Sequence, residues 1–104
     1  EKLLNIGLKK LKIMEEDLEN LAAKDIHELL RAWELKHRHR AAECVTQHTL
    51  FRKETRWPGY YYRGDAMKVD DANGHVLTVS RRDPQTGEYT MEKAPCYHLV
   101  GDKE

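Results

Sequence analysis

The chain has 104 residues, 39% of them hydrophobic and 35% charged, and its 18 Lys and Arg balance 18 Asp and Glu to a formal net charge of zero at pH 7. That length leaves room for one core of ordinary domain size and not for two, and the composition reads as a soluble protein with a heavily solvated surface. No apolar run approaches the roughly 20 residues of a membrane helix and no basic-then-apolar segment opens the chain, which argues against membrane spanning and export.

Zero net charge hides an uneven distribution. Residues 1–30 carry 5 Lys and Arg against 7 Asp and Glu, residues 31–63 carry 8 against 3, and residues 64–104 carry 5 against 8. A basic middle between acidic flanks suits an anionic partner, and it equally suits a solvated helix beside acidic neighbours. The two cysteines, Cys44 and Cys96, are far apart, with neither the density of a disulfide scaffold nor a CxxC pair. A reducing, cytoplasmic setting is expected.

From the start, Leu4, Leu8, Leu11, Met14 or Glu15, Leu18 and Leu21 follow the three-to-four spacing of one helical face. Asp25 and Glu28 then have capping-box spacing for a second helix. From Ile26, the residues Leu29, Leu30, Trp33, His37, Ala41, Cys44, His48 and Phe51 keep the helical period, with no Gly or Pro before Pro58. The expected end is near Arg56, because Pro disfavours helix in the residue before it. Two helices joined by so short a connection predict an antiparallel helical hairpin.

After Trp57-Pro58-Gly59 comes an irregular, tyrosine-rich and acidic stretch that closes on the turn signal Asn73-Gly74. His75–Arg81 and Glu88–Lys93 read as two strands, and Asp83-Pro84-Gln85-Thr86-Gly87 between them has hairpin turn chemistry. Cys96–Val100 could extend the sheet. The fold class expected is therefore mainly α: a long helical hairpin over residues 1–56, then an irregular segment and a C-terminal β-hairpin over 57–104, together a single domain.

Few residues carry a chemical signature. His37, Cys44 and His48 share a helix side and are possible zinc ligands, but they are strung along three turns on the apolar stripe, where core packing is the plainer reading. The run His37-Arg38-His39-Arg40 points in several directions around a helix, as a solvated face does. Arg52, Lys53, Arg56 and Arg63, interleaved with Trp57, Tyr60, Tyr61 and Tyr62, form the most unusual stretch. Cations among rings suit single-stranded nucleic acid, and the same residue types suit a protein interface; spacing alone leaves both open. The chain has no glycine-rich phosphate loop, no usable nucleophile set and no cluster of cysteines for iron and sulfur.

The run ELLRAWELKHRHRAAECVTQHTLFRKETRWPGYYYRGDAMKVDDAN, residues 28–73, continued by HVLTVSRRDPQTGEYTMEKAPCYHLV, resembles the alpha subunits of the dissimilatory adenylylsulfate reductases. These form a branch of the succinate dehydrogenase and fumarate reductase flavoprotein family, and Glu54-Thr55-Arg56 stands where the family has Glu-Ser-Arg. The resemblance implies a C-terminal part of such a subunit that begins inside a helical bundle. It implies a parent reaction, the reduction of adenosine 5'-phosphosulfate to sulfite and AMP. It further implies FAD in the parent subunit and iron-sulfur clusters in a beta subunit, with no cofactor, metal or catalytic residue in this chain. Partners would be the rest of the alpha subunit and the beta subunit, and not nucleic acid. Glu54, Arg56, Trp57, Tyr60, Tyr61, Tyr62 and Arg63 are the expected signature or interface residues. Two departures stand out: Trp57-Pro58-Gly59 replaces the family's Gly and its neighbours, and Gly74 replaces a Trp, which implies a missing buried ring.

Overall fold

The computed structural model describes residues 1–56 and 62–96. It comprises α1 (Lys2–Glu19), α2 (Ile26–Phe51), a single helical turn α3 (Asp71–Gly74), and strands β1 (Val76–Arg82) and β2 (Tyr89–Pro95). These fall into two compact units, residues 1–50 and the part from Phe51 onward. Two long helices followed by an antiparallel two-stranded sheet match the mainly α architecture expected.

In the first unit α1 ends where Asn20 donates its side-chain amide to the Glu16 carbonyl at 3.0 Å, satisfying one of the acceptors that a helix end leaves open. The chain reverses over residues 20–25. At the start of α2 the Asp25 carboxylate accepts from the Glu28 N–H at 2.9 Å. The Glu28 carboxylate accepts in return from the Lys24 N–H at 2.8 Å, one residue earlier than the usual reciprocal partner. Asp25→Ala removes this cap and is expected to lower stability by about 1 kcal/mol; urea unfolding followed by far-UV circular dichroism checks it, and an unchanged midpoint would show the cap to be redundant.

From Leu4 to Leu18 the stripe on α1 lies as expected, with Leu4, Leu8, Leu11 and Glu15 half-buried and Leu18 buried, but Leu21, also expected on it, falls past the helix end and is exposed. Met14 is exposed, so Glu15 takes the inward place. On α2 the stripe divides: Leu29, Leu30, Trp33, His37 and Ala41 are exposed and do not face α1, whereas Cys44, His48 and Phe51 are half-buried. The side chain that does face α1 is His39, buried, whose Nε2 donates to the Leu11 carbonyl at 2.6 Å. Next to it Arg40 reaches Glu15 at 3.1 Å and Glu43 at 2.6 Å. His37, expected in the core, is exposed and stacked on Trp33, ring centroids 5.8 Å apart. Periodicity locates an apolar face but not what covers it, and here a polar face carrying a hydrogen-bonding ring supplies the interhelix contact.

The second unit opens with the end of α2 at Phe51, five residues short of the expected Arg56. Past Phe51 the chain leaves the helix as the side chains of Arg52, Glu54, Thr55 and Arg56 are drawn into the contacts described below, which outweigh continued helical bonding. In the β-hairpin Val76 pairs with Pro95 and Arg82 with Tyr89, one residue later at each strand start than expected. The turn closes with Asp83 N–H donating to the Glu88 carbonyl at 2.9 Å and Gly87 N–H to the Asp83 carbonyl at 2.8 Å. Gly87 has φ of 73°, the left-handed conformation for which glycine was expected there. Asp83 accepts from the backbone of Gln85 and Thr86, and these bonds hold its carboxyl below the usual range, Gln85 contributing most. The possible strand at Cys96–Val100 falls almost wholly outside the described residues.

Candidate functional site

Three residues past the end of α2 the chain buries a carboxylate. Glu54 is 2% exposed, and a lone charge so placed would be strongly disfavoured. Its neighbours compensate. Arg56 grips it as a fork, Nε to Oε1 at 2.8 Å and Nη2 to Oε2 at 3.0 Å, the paired geometry that makes guanidinium–carboxylate bonds strong. Arg52 donates to the same Oε1 at 2.7 Å, and the Asp70 N–H donates to Oε2 at 3.0 Å. The Arg56 fork, the Asp70 amide and Arg52 together outweigh burial and hold the Glu54 carboxyl at about 2, against an ordinary 4.5. The Arg56 guanidinium is correspondingly raised, first by Glu54 and then by Asp71, whose Oδ1 lies 3.1 Å from Nη2.

The knot reaches across the second unit. Arg52 also donates to the carbonyls of Gly74, at 2.8 Å, and of Val76. One side chain just past α2 thus fixes the end of α3 and the first residue of β1. Thr55, buried beside Glu54, donates its N–H to the Lys68 carbonyl at 3.3 Å and its hydroxyl to the Ala66 carbonyl at 2.7 Å. The same hydroxyl accepts from the Arg63 N–H at 3.0 Å. Arg63 is buried, forks onto Asp65 at 2.6 and 3.1 Å, and donates to the Arg52 carbonyl at 2.5 Å. Arg63 is the main cause of the lowering of the Asp65 carboxyl to about 2.

Gly74 sits directly on this knot. A Cβ there would overlap the Glu54 carboxyl group, so a ring at this position is excluded rather than missing; the space is filled by Glu54. Asp70 caps the turn below it, accepting from the Asn73 N–H at 3.1 Å and from its side-chain amide at 3.0 Å. The expected turn at Asn73-Gly74 is this helical turn.

The structure therefore brings together Glu54, Arg56 and Arg63 of the expected residues, and adds Arg52, Thr55, Asp65, Asp70 and Gly74. Tyr62 is exposed. Trp57, Tyr60 and Tyr61 lie outside the described residues. Arg56 does not stand on the helix end, as expected, but beyond it. Arg52, Arg56 and Arg63 turn onto carboxylates and carbonyls of their own chain, so they do not present a row of cations for phosphates. The sequence marked Arg52 only as one cation of the basic, aromatic stretch and Thr55 only as the middle of Glu54-Thr55-Arg56, with no partner for either; the neighbouring acids Asp65, Asp70 and Asp71 were the one available hint that the basic middle had internal partners.

Among the described residues no group of three His, Cys, Asp or Glu is placed to hold a metal, and no helix is long and apolar enough to cross a membrane. A dinucleotide needs backbone N–H groups and cations for its pyrophosphate, and one open hollow among the described residues, lined by Asp65, Asp70 and Asp71 with Lys53 and Lys68, does not fit that need.

Relatives place this geometry in context. A curated adenylylsulfate reductase alpha subunit from Megalodesulfovibrio gigas is 41% identical over 98 residues, which are 94% of this chain and 15% of that protein. Two solved structures each align with a TM-score of 0.91 at 47% identity, over 99% of this chain and 16% of theirs. One is adenosine-5-phosphosulfate reductase in complex with sulfite as a covalent adduct, the other adenylylsulfate reductase from the hyperthermophilic Archaeoglobus fulgidus. The chain thus spans about a sixth of the relatives it matches. The family model for the C-terminal part of fumarate reductase flavoproteins covers residues 1–99, and the chain belongs to that family.

Proposed function

We propose that this chain is the C-terminal structural part of the alpha subunit of an adenylylsulfate reductase. The observation that carries the reading is the likeness to those subunits along nearly the whole chain, at 47% identity and a TM-score of 0.91. The parent reaction is the two-electron reduction of adenosine 5'-phosphosulfate to sulfite and AMP at an FAD held elsewhere in the alpha subunit, with electrons from an iron-sulfur beta subunit, in the cytoplasm. The part played by these residues is architectural. The knot of Arg52, Glu54 and Arg56 holds the chain past α2 to α3 and β1, and the signature residues Glu54, Arg56, Trp57, Tyr60, Tyr61, Tyr62 and Arg63 form or support a face toward the flavin-bearing part or the beta subunit.

The test is to purify both the native polypeptide that carries this sequence and residues 1–104 alone, mix each with FAD, remove the excess and read flavin absorbance. Flavin on the native polypeptide and none on the short chain is expected, with adenylylsulfate-dependent turnover confined to the former with its beta subunit. Stoichiometric flavin on the short chain, or a native polypeptide free of flavin, would overturn the reading.

A further inference from the structure

We infer that Asn73 is a site of spontaneous covalent modification, conversion of its side-chain amide to an acid through a cyclic imide with Gly74, and that the folded second unit holds this site inert. Asparagine followed by glycine is the pair most prone to this reaction, because the nucleophile is the next backbone nitrogen and glycine has no Cβ to hinder it. Asn5 and Asn20 precede Ile6 and Leu21, so Asn73 alone has that neighbour.

The reaction needs only base and water. The Gly74 nitrogen, after losing its proton to solvent base, attacks Asn73 Cγ. The Cγ–Nδ2 bond breaks, and the departing nitrogen takes up a proton and leaves as ammonia. Water then adds to one of the two imide carbonyls and breaks its bond to nitrogen. The product is either aspartate or an isoaspartate, in which the main chain runs through the side-chain carbons. Position 74 does not escape this chemistry by holding another residue: a Cβ there would overlap the Glu54 carboxyl group, so the ion-pair knot itself requires the glycine.

Burial does not protect the pair, since Asn73 is exposed and open to water and base. Hydrogen bonds do. The nucleophile, the Gly74 N–H, donates to the Asp70 carbonyl at 2.7 Å. The leaving group, the Asn73 side-chain amide, donates to the Asp70 carboxylate at 3.0 Å. The Asn73 N–H donates to the same carboxylate at 3.1 Å, which keeps the residue in the helical turn α3, and helical angles hold a backbone nitrogen out of bonding alignment with the preceding side-chain carbon. Arg52, bonded to Glu54, also ties down the Gly74 carbonyl at 2.8 Å. Reaction is therefore confined to the fraction of molecules in which this unit is locally open. Once converted, residue 73 sets a carboxylate against that of Asp70, a like-charge contact. The isoaspartate further lengthens the main chain by one atom where Glu54 leaves no room. The modification thus records opening of the second unit and hinders its closing again.

The native polypeptide, incubated in mildly alkaline buffer with and without guanidinium chloride, tests this. Peptide mapping by mass spectrometry follows conversion at Asn5, Asn20 and Asn73, and electron-transfer fragmentation separates aspartate from isoaspartate. In denaturant Asn73 is expected to convert well ahead of the other two; comparable rates would overturn the assignment of the site. In buffer its conversion is expected to be slower by a factor on the order of 100 or more, as the opening of a packed unit dictates; equal rates with and without denaturant would overturn the lock. Asp70→Ala is expected to speed conversion in buffer about fivefold, the population change that loss of a helix cap brings, and to leave the rate in denaturant unchanged. Asp70→Asn, which keeps an acceptor, should restore slow conversion; a rate in buffer that neither change moves would overturn the part given to Asp70. Asn73→Asp supplies the aspartate product directly and is expected to lower the urea midpoint, and an unchanged midpoint would overturn the consequence drawn for closing.

Discussion

Glu54→Ala is expected to destabilise the chain by about 3 kcal/mol, because breaking a buried ion pair leaves the surviving partner's charge uncompensated. Here there are two such partners. Arg52 and Arg56 are each about a quarter exposed, against 2% for Glu54, so water recovers part of the loss and the lower end of the usual range applies. The Asp70 N–H loses its acceptor as well. Arg56→Ala leaves Arg52 on the carboxylate and is expected to be milder, about 1 to 3 kcal/mol. In the alpha subunit proposed above it should reduce assembly and the thermal midpoint more than kcat/KM of the enzyme that does assemble. An assembled, normally stable Arg56→Ala enzyme with collapsed turnover would assign this residue to the chemistry instead.

The same carboxylate makes stability depend on pH with a definite sign. Glu54 is held at about 2 in the folded chain against 4.5 ordinarily, so at low pH the unfolded chain takes up the proton first. Its contribution, on the order of 3 kcal/mol, is complete above pH 4.5 and is lost as pH falls from there toward 2. Asp65, lowered from an ordinary 3.8 to about 2 by the Arg63 fork, acts in the same direction, but only as pH falls below 3.8. Urea midpoints between pH 7 and 2.5 should fall steeply below 4.5 in the native sequence. In Glu54→Gln, which keeps the shape without the charge, the midpoint should start lower and the slope should be shallower. Parallel curves for the two proteins would show that Glu54 is not the titrating group.

Gly74→Leu is expected to disrupt the second unit, and even Gly74→Ala to lower stability by about 1 to 3 kcal/mol, the usual penalty of overpacking. The reason is not backbone conformation but room: a Cβ overlaps the Glu54 carboxyl group, which is pinned by three donor groups and cannot step aside without breaking bonds to Arg52, Arg56 or Asp70. Coupling is the decisive readout. In Glu54→Ala the obstacle is gone, so adding Gly74→Ala should cost much less than it does in the native chain, giving a non-additive double-mutant cycle. Strict additivity would mean that the two positions do not meet.

Much of this architecture was legible without coordinates. Spacing of Leu4, Leu8, Leu11 and Leu18 gave the inward face of α1, Asp25 with Glu28 located the start of α2, and Asp83-Pro84 with Gly87 located the hairpin turn. All three are local: a helical period, a cap and a positive-φ glycine act over a few residues, so sequence neighbours suffice to reveal them. The relationship to the flavoprotein family was legible too, because Glu54-Thr55-Arg56 lies within a long continuous likeness.

Tertiary structure alone decided the rest. The end of α2 at Phe51 rather than near Arg56 depends on Glu54 meeting the Asp70 N–H and on Arg52 reaching Gly74 and Val76, partners 16 to 24 residues away that no local propensity encodes. Arg52, Arg56 and Arg63 look alike in the sequence as exposed cations, and only the fold turns them onto Glu54 and Asp65. His37 and His39 are two residues apart, yet one is exposed and the other is buried against the Leu11 carbonyl. A side chain's period around a helix is set by its own sequence, whereas the surface that covers each side is supplied by distant chain, and that is where the sequence by itself stops.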